Sequence, residues 1–302
     1  MAEDRDTDSM ELINEKLKGV IYSQDTTITN RKIADYLLVS MDSVAFNTAE
    51  EIAKEIGVSQ SAITRFTTAV LGFGGFAEFR NVVKDNIRHK ISGDERYDMA
   101  SGDINTIVDR ILIEEIELLK QLSSEISAEK MEYIASQIAG AEKVCIIGLR
   151  TAVPAVLFFE FFLSKIHKNV FAFTSGGTDV YQRLYRLISE DTVFLNFVIP
   201  RYPREMIEII QFLKQERARF ITIADSRVLE SRGICECDLV VPISMTTLFD
   251  SCATTLCLSN ILIHYIGRVD EEKTQSMLID LEKLLRRKQI FYTFDQEEDP
   301  SD

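Results

Sequence analysis

Apolar residues recur every three or four positions over the first ninety residues, a pattern that predicts helices. The clearest such segments are MELINEKLKGVIY (10–22), RKIADYLLVSM (31–41) and TAEEIAKEIG (48–57). Asn47, with Glu50 three residues on, predicts an N-cap for the third of them, and Gly57 predicts its end. Ser59 is placed to cap a further helix, QSAITRFTTAVLG, after a turn of only three residues. A helix, a tight turn holding glycine and a second helix form a helix-turn-helix arrangement.

The second helix of this pair has one apolar and one polar face. Ile63, Phe66 and Val70 share the face that we expect to be buried. Short hydroxyls, an amide and an arginine, on the other face, can contact base edges and phosphates in a major groove. The segment therefore predicts binding to a double-stranded DNA operator, with a three-helix bundle of polar exterior as the alternative. The DNA-contacting candidates are Ser59, Gln60, Ser61, Thr64, Arg65 and Thr68.

Residues 91–103, ISGDERYDMASGD, are polar and aperiodic, which is typical of a linker. After them the pattern changes, because two helical segments lead into short apolar runs separated by further helical segments. Runs that are apolar on both faces indicate strands of a parallel sheet covered by helices on each side. The predicted strands are 143–148, 170–174, 192–199, 219–225 and 238–244, and the predicted helices are 153–167, 178–188, 203–216 and 250–266.

The two patterns predict two domains of different fold class. The first is an all-α helix-turn-helix domain over residues 1–90. The second, after the linker, is an α/β three-layer domain with a five-stranded parallel sheet over residues 104–290. Residues 291–302 are predicted to form an acidic tail.

Charge and composition narrow the class of protein. The net charge is −14, yet residues 59–90 are locally basic, with Arg65, Arg80 and Lys84 among their cations. The N-terminus is acidic and polar, unlike a signal peptide, and the longest apolar run is interrupted by Glu160 and Lys165. These features indicate a cytoplasmic protein with no membrane partner. The five cysteines lack the spacing of a metal site, so we expect reduced thiols and no metal or other cofactor.

Ligands of open parallel sheets bind at the carboxyl ends of the strands, where helix N-termini offer N–H groups. The corresponding loops are GLRTA (148–152), TSGGT (174–178), IPRYPRE (199–205), ADS (224–226) and SMTT (244–247). The glycines and hydroxyls of TSGGT suit an anion-binding turn, with plain helix capping as the alternative. Arg201 and Arg204 could hold a carboxylate or phosphate by charge, or lie at an exposed rim or a subunit interface.

A catalytic constellation is harder to find. No phosphate-binding Walker loop is present, and GLRTA lacks two of the glycines of a dinucleotide fingerprint. Glu205 is the carboxylate of the IPRYPRE loop, and at a helix start it suits the helix dipole. His167, at a predicted helix end, suits the opposite end of a dipole. We therefore expect a binding domain and no enzyme, with a sugar-phosphate isomerase as the less favoured alternative.

The whole chain resembles the RpiR family of bacterial transcriptional regulators, which join a helix-turn-helix domain to a flavodoxin-like SIS (sugar isomerase) domain. The resemblance is most specific in RKIADYLL (31–38), VAFNTAEEIAKEIGVSQSAITRF (44–66) and LGFGGFAEFR (71–80). It implies that Ser59 to Arg65 begin the recognition helix and that Phe73 and Phe76 belong to the core after it. It also implies a regulator that assembles as a homodimer or homotetramer and senses an anionic metabolite, a phosphosugar or a related compound.

The resemblance also implies which loops would hold a phosphosugar, although one of them departs from the family pattern. Gly148 and Thr151 match the first loop, in which Arg150 replaces a small residue. The second loop, usually rich in serine and threonine, here reads Val198 to Pro203 and has lost its hydroxyls. A regulator whose SIS domain serves only to join subunits is therefore an open alternative. The ligand-binding candidates are Gly148, Arg150, Thr151, Ser175, Gly176, Thr178, Arg201, Tyr202 and Arg204.

Overall fold

A computed structural model of the chain describes residues 4–23, 25–45, 47–87, 104–226, 228–231, 233–244 and 248–292. The predicted linker 91–103 and residues 293–302 of the predicted acidic tail lie outside the described residues. The chain forms two compact units. The first contains Met1–Glu125, Val198–Phe212 and Thr222–Thr254, and the second contains Ile126–Phe197, Leu213–Ile221 and Thr255–Asp302.

The amino-terminal part of the first unit is helical, as the apolar periodicity predicts. Its side chains form one core, in which Leu17, Ile33, Leu37, Ile52 and Phe79 are fully buried. A π-helical turn, Phe66–Val70, continues directly from the fifth helix. The helices are α1 (Asp4–Tyr22), α2 (Ile28–Val39), α3 (Met41–Val44), α4 (Ala49–Ile56), α5 (Gln60–Arg65) and α6 (Phe76–Ile87).

The N-cap of α4 lies one residue later than the sequence pattern predicts. Thr48, and not Asn47, accepts a hydrogen bond from the backbone N–H of Glu51, whose carboxylate accepts one in return from the N–H of Thr48. Asn47 with Glu50 and Thr48 with Glu51 both satisfy the capping-box spacing, so sequence alone does not choose between them. Gly57 ends the helix in the left-handed conformation, at φ 75°, as expected.

Five strands form a single sheet in the order β2-β1-β3-β4-β5. Parallel pairing sets Ile147 of β1 beside Phe173 of β2 and beside Asn196 of β3. The predicted five-stranded parallel sheet is confirmed, and β3 is buried over its whole length. At the sheet edge, β2 is only partly buried and Phe171 is exposed. The strands are β1 (Lys143–Ile147), β2 (Val170–Phe173), β3 (Thr192–Val198), β4 (Arg219–Ala224) and β5 (Leu239–Val240).

The remaining helices follow the predicted order, with one addition. The helix predicted to reach residue 167 ends at Leu163, and the one predicted to start at 250 starts at Ala253. The final helix, on which no side chain is fully buried, was not predicted. No described helix is both long and apolar enough to cross a membrane. These helices are α7 (Ile104–Glu125), α8 (Ala128–Ala139), α9 (Val153–Leu163), α10 (Thr178–Leu187), α11 (Arg204–Gln215), α12 (Val228–Ser231), α13 (Ala253–Val269) and α14 (Glu271–Arg287).

His167 has a structural role different from the predicted one. It is buried beyond the end of α9, where its Nε2–H donates to the carbonyl of Ala141 at 2.9 Å and its Nδ1 accepts from the N–H of Asn169 at 3.3 Å. Burial lowers the pKa of the imidazole, against the opposing effect of the Ala141 hydrogen bond. The expectation of a charged partner for a helix dipole is therefore wrong, because a neutral ring joins the α8–β1 turn to the chain after α9.

All five cysteines are free thiols, of which Cys145, Cys235 and Cys237 are buried. Burial raises the pKa of Cys145 to about 12, so this thiol on β1 stays protonated. The described residues contain no group of three or more metal-ligating side chains.

Candidate nucleic-acid interface and ligand loops

The recognition segment is built by local capping and by two buried anchors. The hydroxyl of Ser59 accepts from the N–H of Ala62 at 3.2 Å, which starts α5 as predicted. Ile63 and Phe66 are buried, whereas Val70 is only partly buried. These anchors fix the rotation of the segment about its axis, and so determine which side chains face outward.

The predicted DNA-contacting side chains share the outward face. Ser59, Gln60, Ser61, Thr64 and Arg65 are exposed, and Thr68 is partly buried. Some hydroxyls are already engaged: those of Ser59 and Ser61 are 3.0 Å apart, and that of Thr64 donates to the carbonyl of Gln60. The side chains of Gln60 and Arg65 make no hydrogen bond or ion pair with another described residue. An amide and a guanidinium are thus left available on one exposed surface.

Aromatic rings and a glycine turn hold the end of this segment. Phe79 is fully buried, with its ring centroid 5.3 Å from that of Phe73 and 6.3 Å from that of Phe76. The positive φ of this turn belongs to Gly72, at 87°. Phe73 and Phe76 were expected to belong to the core after the recognition helix, and both pack against Phe79. The sequence pattern did not single out Phe79.

Two of the three cations in residues 59–87, Lys84 and Arg80, are paired with acids of the same unit, and Arg88 and Lys90 lie outside the described residues. Nζ of Lys84 lies 2.7 Å from Oε1 of Glu114 on α7, and both side chains are about nine-tenths buried. One turn away, a guanidinium nitrogen of Arg80 lies 3.6 Å from the carboxylate of Glu117. These two cations cannot serve as an exposed phosphate-binding surface. The sequence analysis did not identify these pairs. Arg80 and Lys84 are four residues apart on α6, and Glu114 and Glu117 are three residues apart on α7, so each set shares one helix face. This spacing could have indicated that the two faces meet.

The first two ligand loops follow β1 and β2. A β-carbon on Gly148 would lie 2.6 Å from Cγ2 of Val156 and 3.0 Å from Cβ of Ala152, so only glycine fits there. Arg150 is exposed and has φ 56°, a left-handed backbone conformation that residues other than glycine rarely adopt. Thr151 is partly buried and has a polar partner within the chain.

The TSGGT turn does not use its hydroxyls for capping. Gly177, at φ 109°, is the N-cap residue of α10, and no side chain caps this helix. Ser175, Gly176 and Thr178 are exposed, and neither hydroxyl bonds to another described residue. The alternative interpretation, in which these hydroxyls only cap α10, is therefore wrong. Exposed hydroxyls at the start of a ten-residue helix remain available.

The loop after β3 holds one engaged and two exposed candidates. The hydroxyl of Tyr202 donates to Oδ1 of Asp225 at 2.7 Å and lies 3.2 Å from Oγ of Ser226. Arg201 is exposed and makes no polar contact with a described residue, whereas Arg204 is paired within α11 with Glu208, at 3.0 Å. Asp225 was not among the predicted site residues. Its position in the ADS loop, at the carboxyl end of a predicted strand, was the signal that the sequence offered.

Comparison with known proteins agrees with the fold and its two parts. The family model for the helix-turn-helix domain of the rpiR family matches residues 16–90, and that for the SIS domain matches residues 137–265. The chain is thus a transcription regulator with an amino-terminal helix-turn-helix domain and a SIS domain. It belongs to the RpiR family.

Named relatives and solved structures extend this comparison. An HTH-type transcriptional regulator from Clostridium perfringens is 22% identical over 74% of this chain and 80% of its own length. One from Haemophilus influenzae is 24% identical over 69% of this chain and 72% of its own. The NanR protein of Vibrio vulnificus, solved with ManNAc-6P, has the same fold at 15% identity, with a TM-score of 0.54 over 93% of this chain and 100% of its own. The sugar isomerase domain of an RpiR transcription factor from Sphaerobacter thermophilus matches at 17% identity and a TM-score of 0.53, over 58% of this chain and 97% of its own.

Proposed function

We propose that this regulator binds a double-stranded DNA operator as a homodimer or homotetramer and that its SIS domain senses an anionic metabolite of the phosphosugar class. One observation carries the DNA-binding half. The exposed side chains of Gln60 and Arg65 stand on a recognition segment whose rotation is fixed by buried Ile63 and Phe66. An amide reads adenine and a guanidinium reads guanine or grips a phosphate, so this face has the chemistry of base recognition.

The DNA half is tested by selecting bound fragments from a random duplex library and measuring their affinity by fluorescence anisotropy. We expect a two-fold symmetric sequence to be enriched. Gln60→Ala should weaken binding to that sequence by about 1–3 kcal/mol and relax preference at one base pair in each half-site. Lys288→Ala, an exposed cation after α14, is the matched control and should leave affinity unchanged. A library that shows no enrichment would contradict DNA recognition.

Two sets of loop residues support the ligand half. In the second unit, Ser175 and Thr178 present unbonded hydroxyls at the start of α10, beside the carboxyl end of β2. In the first unit, Arg201 is an exposed cation after β3. Hydroxyls at a helix start and an arginine are donors suited to a phosphate or carboxylate. The proposal is supported by the NanR protein of similar fold, which was solved with ManNAc-6P.

The ligand half is tested by a thermal-shift screen of sugar phosphates, with the matching unphosphorylated sugars as controls. A ligand at a hundredfold excess over its dissociation constant stabilises by about 2.7 kcal/mol. Thr178→Val keeps the side-chain shape and removes the hydroxyl, so it should reduce the shift for the phosphorylated compound alone. A screen without any stabilising anion would contradict sensing and leave DNA binding intact.

A second candidate is favoured by the loop after β3. Ile199 and Pro200 are buried where related loops carry hydroxyls, so this loop offers side-chain donors only at Arg201 and beyond. On this reading the SIS domain would only join subunits. A negative ligand screen together with a stable oligomer would support it. A sugar-phosphate isomerase is the remaining alternative, and turnover of an aldose phosphate that is lost in Glu205→Gln would support that one.

A further inference from the structure

A cavity of about 490 Å³ lies between the recognition segment and the amino-terminal part of α7. One of its walls contains Gln60 and Thr64, two of the predicted DNA-contacting residues. Another contains Asp109, Arg110 and Ile113 of α7, and both walls belong to the first unit. The face proposed to read DNA is therefore not wholly open, because α7 lies across a cavity from part of it.

Only one flank of the recognition face lines this cavity. At about 100° per residue, Gln60 and Thr64 lie within about 40° of each other around α5, and Arg65 lies about 100° beyond Thr64. Arg65 is exposed and does not line the cavity. The flank that carries the amide of Gln60 is thus the one that α7 borders.

A DNA duplex docked on α5 needs the space on both flanks of this helix. The major groove of B-DNA is about 12 Å wide and a helix with its side chains is about 10–12 Å across, so the groove that receives α5 has no room for a second helix. A sugar-phosphate backbone runs along each flank of a helix in this position. On the Gln60 flank that backbone would meet α7.

We infer that the first turns of α7, residues 104–113, form an intramolecular cover over the Gln60 flank, and that operator binding requires these turns to move away from it. The inference rests on the proposed DNA binding and adds a regulatory step to that function. Residues 104–113 are called the α7 cover below.

The α7 cover is held more loosely than the rest of its helix. None of the side chains at positions 107–113 is buried, whereas Glu114 and Leu122, further along α7, are buried. Glu114 is also paired with Lys84 of α6. A segment with few buried contacts opens at low cost, so the cover can move or unwind while the remainder of α7 stays on α6.

Charge opposes DNA while the cover is in place. Asp109 is exposed and forms no ion pair with another described residue. The wall that α7 contributes to the cavity carries two further acids, Glu114 and Glu117, against one cation, Arg110. A phosphate that approaches Gln60 would therefore be repelled by this wall, and withdrawal of the cover removes Asp109 from it.

Two substitutions outside the cavity test whether the cover competes with DNA. Val108 and Leu112 are 50% and 56% exposed and do not line the cavity, so Val108→Gly/Leu112→Gly weakens the helix of the cover without removing a side chain from the cavity wall. Affinity for the enriched duplex, measured by fluorescence anisotropy, should rise by about fivefold, because glycine favours unwinding of a helix interior. Leu278→Gly/Ile279→Gly, at exposed positions of α14, is the matched control and should leave the affinity unchanged. An unchanged affinity in the cover variant would overturn the inference.

Cross-linking tests the same step in the opposite direction. Ala77 of α6 and Asp109 are exposed and line the cavity, so Ala77→Cys/Asp109→Cys in a Cys252→Ser/Cys257→Ser background can be joined by a short bismaleimide. The linked protein should bind the duplex at least about tenfold more weakly than the same protein capped with N-ethylmaleimide, because the cover can no longer leave. Equal affinities of the linked and the capped protein would contradict the inference.

Amide hydrogen exchange tests the cover without DNA. Beyond the first four residues of α7, whose N–H groups have no partner within the helix, residues 108–113 should exchange faster than residues 114–122, which contain the buried anchors. Uniform exchange along α7 would contradict the cover and leave the proposed DNA binding untouched. A wild type and a glycine variant that both enrich no duplex would contradict the proposed function instead.

Discussion

Nζ of Lys84 on α6 lies 2.7 Å from Oε1 of Glu114 on α7, thirty residues further along the chain, in an ion pair of which both members are about nine-tenths buried. Burial removes the water that would otherwise stabilise each charge, so each depends on its neighbours for stability. The pair therefore holds α6, the last helix of the helix-turn-helix region, against α7.

Breaking this pair from either side should be costly, whereas removing both charges should not. We expect Lys84→Met and Glu114→Leu each to destabilise the protein by about 3–5 kcal/mol, because each leaves one buried charge without its partner. The double variant Lys84→Met/Glu114→Leu should recover most of that loss. Urea unfolding of the four proteins measures the coupling, and additive losses in the double variant would show that the two charges do not depend on each other.

Gly148 should be intolerant of any side chain for a purely steric reason. Its φ is not in the left-handed region, yet a β-carbon would meet Cγ2 of Val156 at 2.6 Å. We expect Gly148→Ala to cost about 1–3 kcal/mol through overpacking and Gly148→Ala/Val156→Ala to cost less than the sum of its single variants. Gly57→Ala should destabilise the protein for a conformational reason, because an added β-carbon has open space there but φ is 75°, which residues with a side chain rarely adopt. In thermal unfolding, Val156→Ala should restore part of the stability lost in Gly148→Ala, whereas no neighbouring substitution should restore that lost in Gly57→Ala.

His167 should make stability fall in mildly acidic solution. Its folded pKa is lowered from the ordinary value of 6.5, so above that pH both the folded and the unfolded imidazole are neutral. Below it the unfolded ring binds a proton that the buried ring does not, and stability is lost by at most about 1.4 kcal/mol per pH unit until the folded ring also titrates. Unfolding free energies from pH 8 to pH 5 should show this loss in the wild type and a smaller loss in His167→Gln. His264→Gln, at an exposed position, is the control, and equal slopes in all three proteins would refute the assignment.

Tyr202 should stabilise the loop after β3 through its hydroxyl. Because that hydroxyl donates to buried Asp225, Tyr202→Phe removes a donor from a carboxylate that water barely reaches. We expect a loss of about 1–3 kcal/mol in thermal unfolding. Tyr185→Phe, on the exposed face of α10, should have no effect. Equal stability of Tyr202→Phe and the wild type would mean that Asp225 relies on other partners.

Local chemistry explains what could be predicted from the sequence. The strands were predictable because β3, for example, is short, apolar on both faces and rich in β-branched and aromatic residues, which is typical of a strand buried between helix layers. The turn between α4 and α5 was predictable because Gly57 and Ser59 have strong conformational preferences of their own. The shift of the cap from Asn47 to Thr48 shows the limit of such preferences, since both residues meet the local requirement.

What could not be predicted depends on contacts between distant segments. Arg80 and Lys84 make residues 59–90 locally basic in the sequence, yet the acids that pair with them lie on α7, beyond residues 91–103. His167 likewise gains its role from Ala141, twenty-six residues away. The last helix, α14, escaped prediction because its apolar residues are half-exposed and its composition is that of a solvated segment.

Because Lys84 and Arg80 are paired with acids of the same unit, they bear on how strongly the affinity for DNA depends on salt. Each cation that meets a phosphate releases condensed counterions, and the logarithm of affinity then falls by about 0.9 per tenfold increase in salt for each contact. Of the cations in residues 59–87, Arg65 is the one without an acidic partner among the described residues. Lys84 and Arg80 are therefore expected to add little to the salt dependence of DNA binding.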